Sequence, residues 1–449
     1  MIKKLFSPVF LVFSLLLLAY VLYKSEIIFL GTNREHYFKY YILCFILIIL
    51  SICTFYINKK TKEYFSIIIL TLIFSSYLFE YYLSNSLMNK EELQILKIKK
   101  KMYNDKTGKI WDERSQYQVY RNLLKTKPNA VPYFYPTQLN INAKKVHSLS
   151  GVSNSPTVFC NENGYYSITN SDRYGFNNPD NEWNKEKIKF FLIGDSFTHG
   201  ACVNRPEDIA SNLRLLSNDS VLNLGYGGNG PLIEYATLKE YLLPNVEMVF
   251  WIYLEGNDLY NLNNELKNKI LIKYLNDLSF TQNLKFKQSE IDKVVKTIVK
   301  KEILNDTFQL NKDNQLRYKI IKFIRLNNLK KFIKKRTVKN KVNKFEDKIF
   351  KEFKDILKLS KEFTVKNNSK LYFVYLPEYH RYKTNYDDTN YNYIKAMINE
   401  LEIPFIDIHK EIFTKEQNPL ELFPFKLNGH YNEKGYKKIA ETIYNFTKN

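Results

Sequence analysis

A serine hydroxyl at the end of a buried strand can act as a nucleophile, and Ser196 occupies such a place. It lies in Gly194-Asp195-Ser196-Phe197, directly after the apolar run 188–193. Open α/β sheets set their reacting groups at the carboxyl ends of strands. Gly-Asp-Ser is also ordinary turn chemistry, so the serine alone decides little. Downstream, in order, come Asn223-Leu224-Gly225-Tyr226-Gly227-Gly228, then Glu255-Gly256-Asn257-Asp258, then Gly429-His430. Acyl transfer needs a nucleophile, a base and hydrogen-bond donors for a tetrahedral oxyanion. Ser196 is the candidate nucleophile and His430 the candidate base. The backbone N–H groups of Ser196 and Gly228 and the side-chain amide of Asn257 are candidate oxyanion donors. A glycine at 228 lets backbone approach a substrate closely.

Each of these motifs also has a plain structural meaning. The glycines at 225, 227 and 228 can simply form a βα turn. Asn257 and Asp258 can be a turn and a helix cap. His430 can be a surface histidine ahead of the final helix, and His199, three residues past Ser196, reads as a turn residue rather than the base. What favours chemistry is coincidence: all four motifs fall at expected strand ends or just ahead of a helix.

Those four blocks resemble the blocks of the SGNH (GDSL-like) hydrolase superfamily, over about Gly151 to the C-terminus. The resemblance implies a flavodoxin-like three-layer α/β/α fold with a parallel sheet. It also implies catalysis by Ser196 and His430, with an oxyanion site made by Ser196, Gly228 and Asn257. The Gly-x-Ser-x-Gly elbow of another hydrolase class is absent, because residue 198 is Thr. One departure stands out. The family places an Asp two or three residues before the histidine, where this chain has Asn428 and Leu427. Three arrangements remain open: a Ser–His dyad, orientation of the imidazole by uncharged Asn428, or an acid from elsewhere such as Asp407.

The elements that must position these residues follow a β-α-β-α rhythm. Strands are expected at 187–193, 221–224, 246–254, 370–376 and 404–408. Several are continuous apolar runs, as strands covered on both faces require. Helices are expected at 206–217, 231–242, 345–363 and 433–446, with Pro206 and Pro231 at first-turn positions. Residues 261–343 carry Lys- and Asn-rich helical sequence and read as an insertion. A membrane part at 1–84, a connector at 85–150 and a catalytic domain at 151–449 complete the expected organisation.

The 449-residue chain is 45% hydrophobic and 16% aromatic, enough for a large core. Apolar stretches at 5–23, 40–57 and 64–83 each approach the ~20 residues that cross a bilayer. Three buried core helices are the alternative. Lys3, Lys4 and the Lys59-Lys60-Thr61-Lys62 loop favour a cytoplasmic N-terminus. Three spans then place the rest on the periplasmic or extracellular side of a cell inner membrane. Cys160 and Cys202 are the only cysteines outside the apolar stretches and are expected to pair in an oxidising compartment. No Cys/His pattern suggests a metal, and no cofactor is implied. The net charge is +21, and 317–344 holds twelve Lys or Arg with no Asp or Glu. That stretch reads as a surface for anionic lipid or glycan, or as a solvated face packed on the domain. No nucleic-acid-binding pattern is present.

The leading expectation is a membrane-anchored serine esterase or O-acyltransferase acting on an acylated envelope polysaccharide. A non-catalytic carbohydrate-binding module and a lipid-active phospholipase or thioesterase are the alternatives.

Overall fold

Three apolar helices come first. The computed structural model describes residues 2–28, 31, 34–85, 87–136, 146–313, 316–339 and 347–448. Within it the helices are α1 (Ile2–Leu22), α2 (Arg34–Cys53) and α3 (Lys59–Asn85). The apolar segments Leu5–Ile28, His36–Tyr56 and Lys59–Ser84 are 24, 21 and 26 residues long, enough to cross a membrane. Leu16, Phe45 and Phe74 point outward. Small polar side chains turn inward: Ser7 Oγ donates to the Thr54 carbonyl at 3.1 Å, and Ser14 Oγ to that of Phe10 at 2.8 Å. Apolar outside and small inside is the pattern that a lipid solvent selects.

Contacts divide the chain into two units: 1–90 with 315–336, and 91–314 with 337–449. The sequence from 87 onward begins with α4 (Leu87–Thr107) and α5 (Gln116–Leu123). A small sheet follows, with β1 (Val131–Pro132) parallel to β2 (Pro156–Val158) and β2 antiparallel to β3 (Ile168–Asn170). The main sheet comprises β4 (Ile188–Gly194), β5 (Val221–Asn223), β6 (Val246–Leu254), β7 (Lys370–Leu376) and β8 (Phe405–Asp407). Its order is β5-β4-β6-β7-β8, with every neighbour parallel. Counted from its own first strand this is 2-1-3-4-5, the flavodoxin-like order.

Helices cover both faces. The helices after β4 are, in chain order, α6 (Ser196–His199), α7 (Ile209–Ser217), α8 (Pro231–Tyr241), α9 (Asp258–Glu265), α10 (Lys273–Asn276), α11 (Gln288–Asp313), α12 (Leu316–Ile324), α13 (Asn327–Lys339), α14 (Asp347–Lys366), α15 (Thr389–Glu400), α16 (Ile408–Glu411) and α17 (Glu433–Phe446), of which α12 and most of α13 belong to the other unit. Phe191 and Ile193 join one core with Leu238 of α8 and Phe353 of α14. Phe190 and Leu192 join the other with Leu213 of α7 and Ile439 of α17. Successive strand residues face opposite sides, so a strand covered twice needs an unbroken apolar run.

Three expectations change. Helix α7 starts at Ile209 under an Asp208 cap, whose Oδ1 accepts from the Ser211 N–H at 3.0 Å, so Pro206 precedes the helix. The described residues from 91 to 150 of the expected connector pack into the second unit. Val131 and Pro132 pair with Thr157 and Val158, and Tyr133 stacks on Phe159 and Tyr226 at 3.7 and 4.6 Å. The second unit therefore begins near residue 91 rather than 151. The insertion is helical but divided: Ile291, Val295 and Val299 of α11 enter the core of the second unit, whereas 315–336 groups with the three apolar helices. Residues 340–344 of the basic stretch lie outside the described residues.

A buried ion pair braces the loops after β6 and β7. Arg381 Nε donates to Glu255 Oε2 at 2.9 Å, its other nitrogens reach Glu255 and Asp388, and Tyr375 Oη also donates to Glu255. The Glu255 and Arg381 side chains are only 3% and 4% exposed. Arg381→Ala strands a buried carboxylate and should destabilise the protein by about 3–5 kcal/mol. A thermal melt of the detergent-solubilised protein checks this, and an unchanged midpoint refutes it.

Candidate active site

Strand β4 ends at Gly194, and the Asp195 side chain accepts from the Phe197 N–H at 2.8 Å, starting α6. Ser196 is thereby fixed in the first turn of that short helix. His430 arrives from the loop before α17. Its ring packs beside Phe197 at 4.8 Å, and its Nε2 lies 2.9 Å from Ser196 Oγ.

On its other side the ring meets Glu162. His430 Nδ1 is 3.1 Å from Glu162 Oε1, and the His430 backbone N–H donates to Glu162 Oε2 at 2.6 Å. A carboxylate only accepts, so Nδ1 carries the proton and Nε2 is left to accept from the serine hydroxyl. Burial opposes ionisation of Glu162, but the His430 charge and hydrogen bonds outweigh it and hold its pKa below the usual carboxylate range. Burial likewise opposes charge on His430, and Glu162, with a smaller part from Asp195, overcomes it and raises its pKa. The pair favours an imidazolium, the form needed after proton transfer.

Glu162 is not among the acids expected from sequence. The structure corrects both of those candidates. Asp407 accepts from Tyr391 Oη at 2.6 Å and from the Lys410 N–H at 3.1 Å. Asn428 lies beside His380, with Nδ2 to Nε2 at 3.4 Å. Neither bonds the His430 ring among the described residues. His199 is a buried core histidine, with Nδ1 3.2 Å from the Gly225 carbonyl and a pKa lowered by burial to about 4.

Two features let Glu162 reach the ring. The first is a disulfide between Cys160 and Cys202, with sulfurs at 2.10 Å and a sequence separation of 42. It ties the Glu162 segment to the chain just past Ser196, and Asn163 Nδ2 adds a bond to the Cys202 carbonyl at 3.0 Å. The second is Gly429: a Cβ there would lie 2.5 Å from Glu162 Oε2. Glu162, Cys202 and His430 lie close enough together to suggest metal ligands. The Cys202 sulfur is already in a disulfide, however, and has no thiolate to offer.

The candidate oxyanion donors gather beyond the same strand ends. The Tyr226 N–H donates to the Gly194 carbonyl at 3.1 Å, binding the glycine-rich turn to the nucleophile turn. Gly228 has φ +83°, left-handed backbone that suits glycine, and its N–H has no acceptor among the described residues. Asn257 Nδ2 lies 3.3 Å from Asp195 Oδ2, which points its amide along the Ser196 turn. A cavity of about 370 Å³ opens beside Asn257 and His430, lined also by Glu162, Phe197, Gly256 and Tyr379 among others. The arrangement can activate a hydroxyl and receive an oxyanion.

The second unit is a flavodoxin-like sandwich with the four sequence blocks at its strand ends. No protein-family model matches the chain, and no curated protein matches it. Among solved structures, one similar fold is a protein of the lipolytic G-D-S-L family from Desulfitobacterium hafniense DCB-2. It is 14% identical, covers 58% of this chain and 99% of its own, and has a TM-score of 0.31. Another is an acetyl xylan esterase, 12% identical, covering 58% of this chain and 99% of its own, with a TM-score of 0.32.

Catalysis at this site requires a neutral His430, so turnover should fall as pH drops through its raised pKa. Glu162→Gln removes the charge that raises it. The acid limb of the pH–rate profile should then move to lower pH, while kcat falls by roughly 10²–10⁴-fold. An unchanged profile would show that Glu162 does not act on the imidazole.

Proposed function

We propose that this protein is a membrane-anchored serine esterase or O-acyltransferase that works through a seryl ester, with an acylated envelope polysaccharide as substrate. The observation that carries this reading is the continuous chain from Glu162 through His430 to Ser196 Oγ, with contacts of 3.1 and 2.9 Å. A module that only bound carbohydrate would have no need of it.

Ser196 Oγ attacks the acyl carbonyl as its proton passes to His430 Nε2. Glu162 stabilises the imidazolium. The oxyanion accepts from the Ser196 and Gly228 N–H groups and from Asn257 Nδ2. Collapse expels the sugar hydroxyl, which takes the proton from His430. Water then completes hydrolysis, or another sugar hydroxyl completes transfer, with His430 again as base.

A second cavity supports a glycan. It measures about 570 Å³ and is lined by Tyr103, Lys106, Lys109, Asn163, Phe425 and Lys426 among others. Asn163 follows Glu162 and Lys426 precedes Asn428 by two residues, so adjacent chain segments wall both cavities. Aromatic faces among hydrogen-bonding side chains suit a ring rich in hydroxyls. The disulfide supports a site outside the cytoplasm, because cytosolic thiols are kept reduced. An N-terminus inside, as Lys3, Lys4 and the 59–62 loop favour, together with three spans supports the same side.

The purified full chain should react with a fluorophosphonate probe and release acetate from acetylated xylan. Ser196→Ala and His430→Ala should abolish turnover, and Asn257→Ala should cost about 10²–10³-fold. Labelling that persists in Ser196→Ala, or its absence in the native chain, would leave the binding-module reading. Turnover of lysophospholipid in place of acetylated glycan would favour the lipid-active one.

The disulfide closes a 42-residue separation, worth roughly 4 kcal/mol in the chain-entropy model. Replacing Cys160 and Cys202 with Ser should lower kcat more than it raises KM, because the first effect is on the hold of Glu162 on His430. An intact kcat in a variant with a reduced melting point would separate the bond from the chemistry.

A further inference from the structure

The membrane unit contains a helical hairpin whose position is set by one carboxylate. Helices α12 and α13 meet at Arg325-Leu326, where Leu326 adopts φ +52°. Glu80, fully buried near the end of the third apolar span, accepts from the Asn328 N–H at 3.0 Å and the Leu329 N–H at 2.7 Å. These are among the N–H groups that a helix start leaves without an intrahelical acceptor, and the helix dipole there favours negative charge. A carboxylate in a membrane span is costly unless it is satisfied, and α13 satisfies this one. Tyr77 Oη also donates to the Ile324 carbonyl at 3.0 Å, and Phe323 and Phe332 pack on Tyr77 and Phe79 at 5.6 and 5.5 Å.

Glu80 stands four residues before Ser84, the last residue of the span, which is about 6 Å along a helix. The hairpin is therefore anchored at the level where hydrocarbon gives way to headgroups. There it exposes Ile320, Ile324 and Ile333 together with Arg325, Lys330 and Lys331. Exposed branched aliphatics beside cations, with no acidic residue from 317 to 344, fit a surface whose apolar layer lies under anionic headgroups.

We propose that this hairpin lies in the membrane interface and binds anionic phospholipid headgroups through Arg325, Lys330 and Lys331. The inference rests on the reading of 59–84 as a membrane span and is independent of the catalytic one.

Native mass spectrometry of the full chain in detergent, titrated with phosphatidylglycerol or phosphatidylcholine, tests it. The native chain should retain phosphatidylglycerol preferentially at low salt and lose that preference near 1 M salt, where the Debye length is about 3 Å. Arg325→Gln, Lys330→Gln and Lys331→Gln combined should weaken retention roughly 10²-fold. An unchanged melting curve would show that this variant is folded. Hydrogen exchange at Asn328 and Leu329 should stay slow in the native chain and speed up in Glu80→Gln. Equal retention of the two lipids, or a preference that survives the triple substitution, overturns the proposal. Binding of a polyuronate such as alginate without phosphatidylglycerol retention overturns it in favour of a glycan.

Discussion

The contact on which the site depends is the double hold of Glu162 on His430, through the ring and through the backbone N–H. It fixes tautomer, orientation and loop position together. Its demand on the chain is large, because Glu162 precedes the main sheet and His430 follows it, 268 residues later. The segment before β4 must therefore fold back across the carboxyl edge. Gln116 Nε2 bonds the Val158 and Phe159 carbonyls at 2.9 and 3.1 Å, and Tyr226 Oη donates to the Phe134 carbonyl at 2.8 Å. Residues that look like a linker are thus part of the frame that delivers the acid.

Electrostatics sharpen that role. Behind the nucleophile lie Glu234 and Asp258, both fully buried. Burial, with repulsion from Asp195 and Glu265 and, for Asp258, from Glu234, pushes their pKa values well above the carboxylate range. Glu162 moves the opposite way, because His430 outweighs its burial. Negative charge is therefore placed where a cation must form. Preorganised charge of this kind is the larger part of what such sites contribute.

Much of this was legible in the sequence. The apolar runs at 246–254 and 370–376 coincide with β6 and β7, because a strand buried on both faces leaves no other pattern. Ser196 and His430 were marked by their places beside strand and helix ends. Glu162 was missed because the search for an acid looked next to the histidine, whereas the partner comes through space. One signal pointed to it: Cys160 lies two residues before Glu162, and its expected partner Cys202 six residues after Ser196. Following that tether would have placed a carboxylate beside the nucleophile. The split of the insertion was less readable. An amphipathic basic helix has the same pattern whether its stripe packs on a soluble domain or on a membrane span, and the partner that decided it, Glu80, lies some 250 residues away in sequence.

The disulfide links geometry to compartment. Without it, the Glu162 segment keeps the Asn163 bond to Cys202 and the aromatic stack of Tyr133, Phe159 and Tyr226, but not the covalent stop two residues from the acid. A catalytic hydrogen bond tolerates errors of only about 0.5 Å. A chain held in a reducing compartment would therefore carry the same residues with a looser acid and a base less firmly aimed.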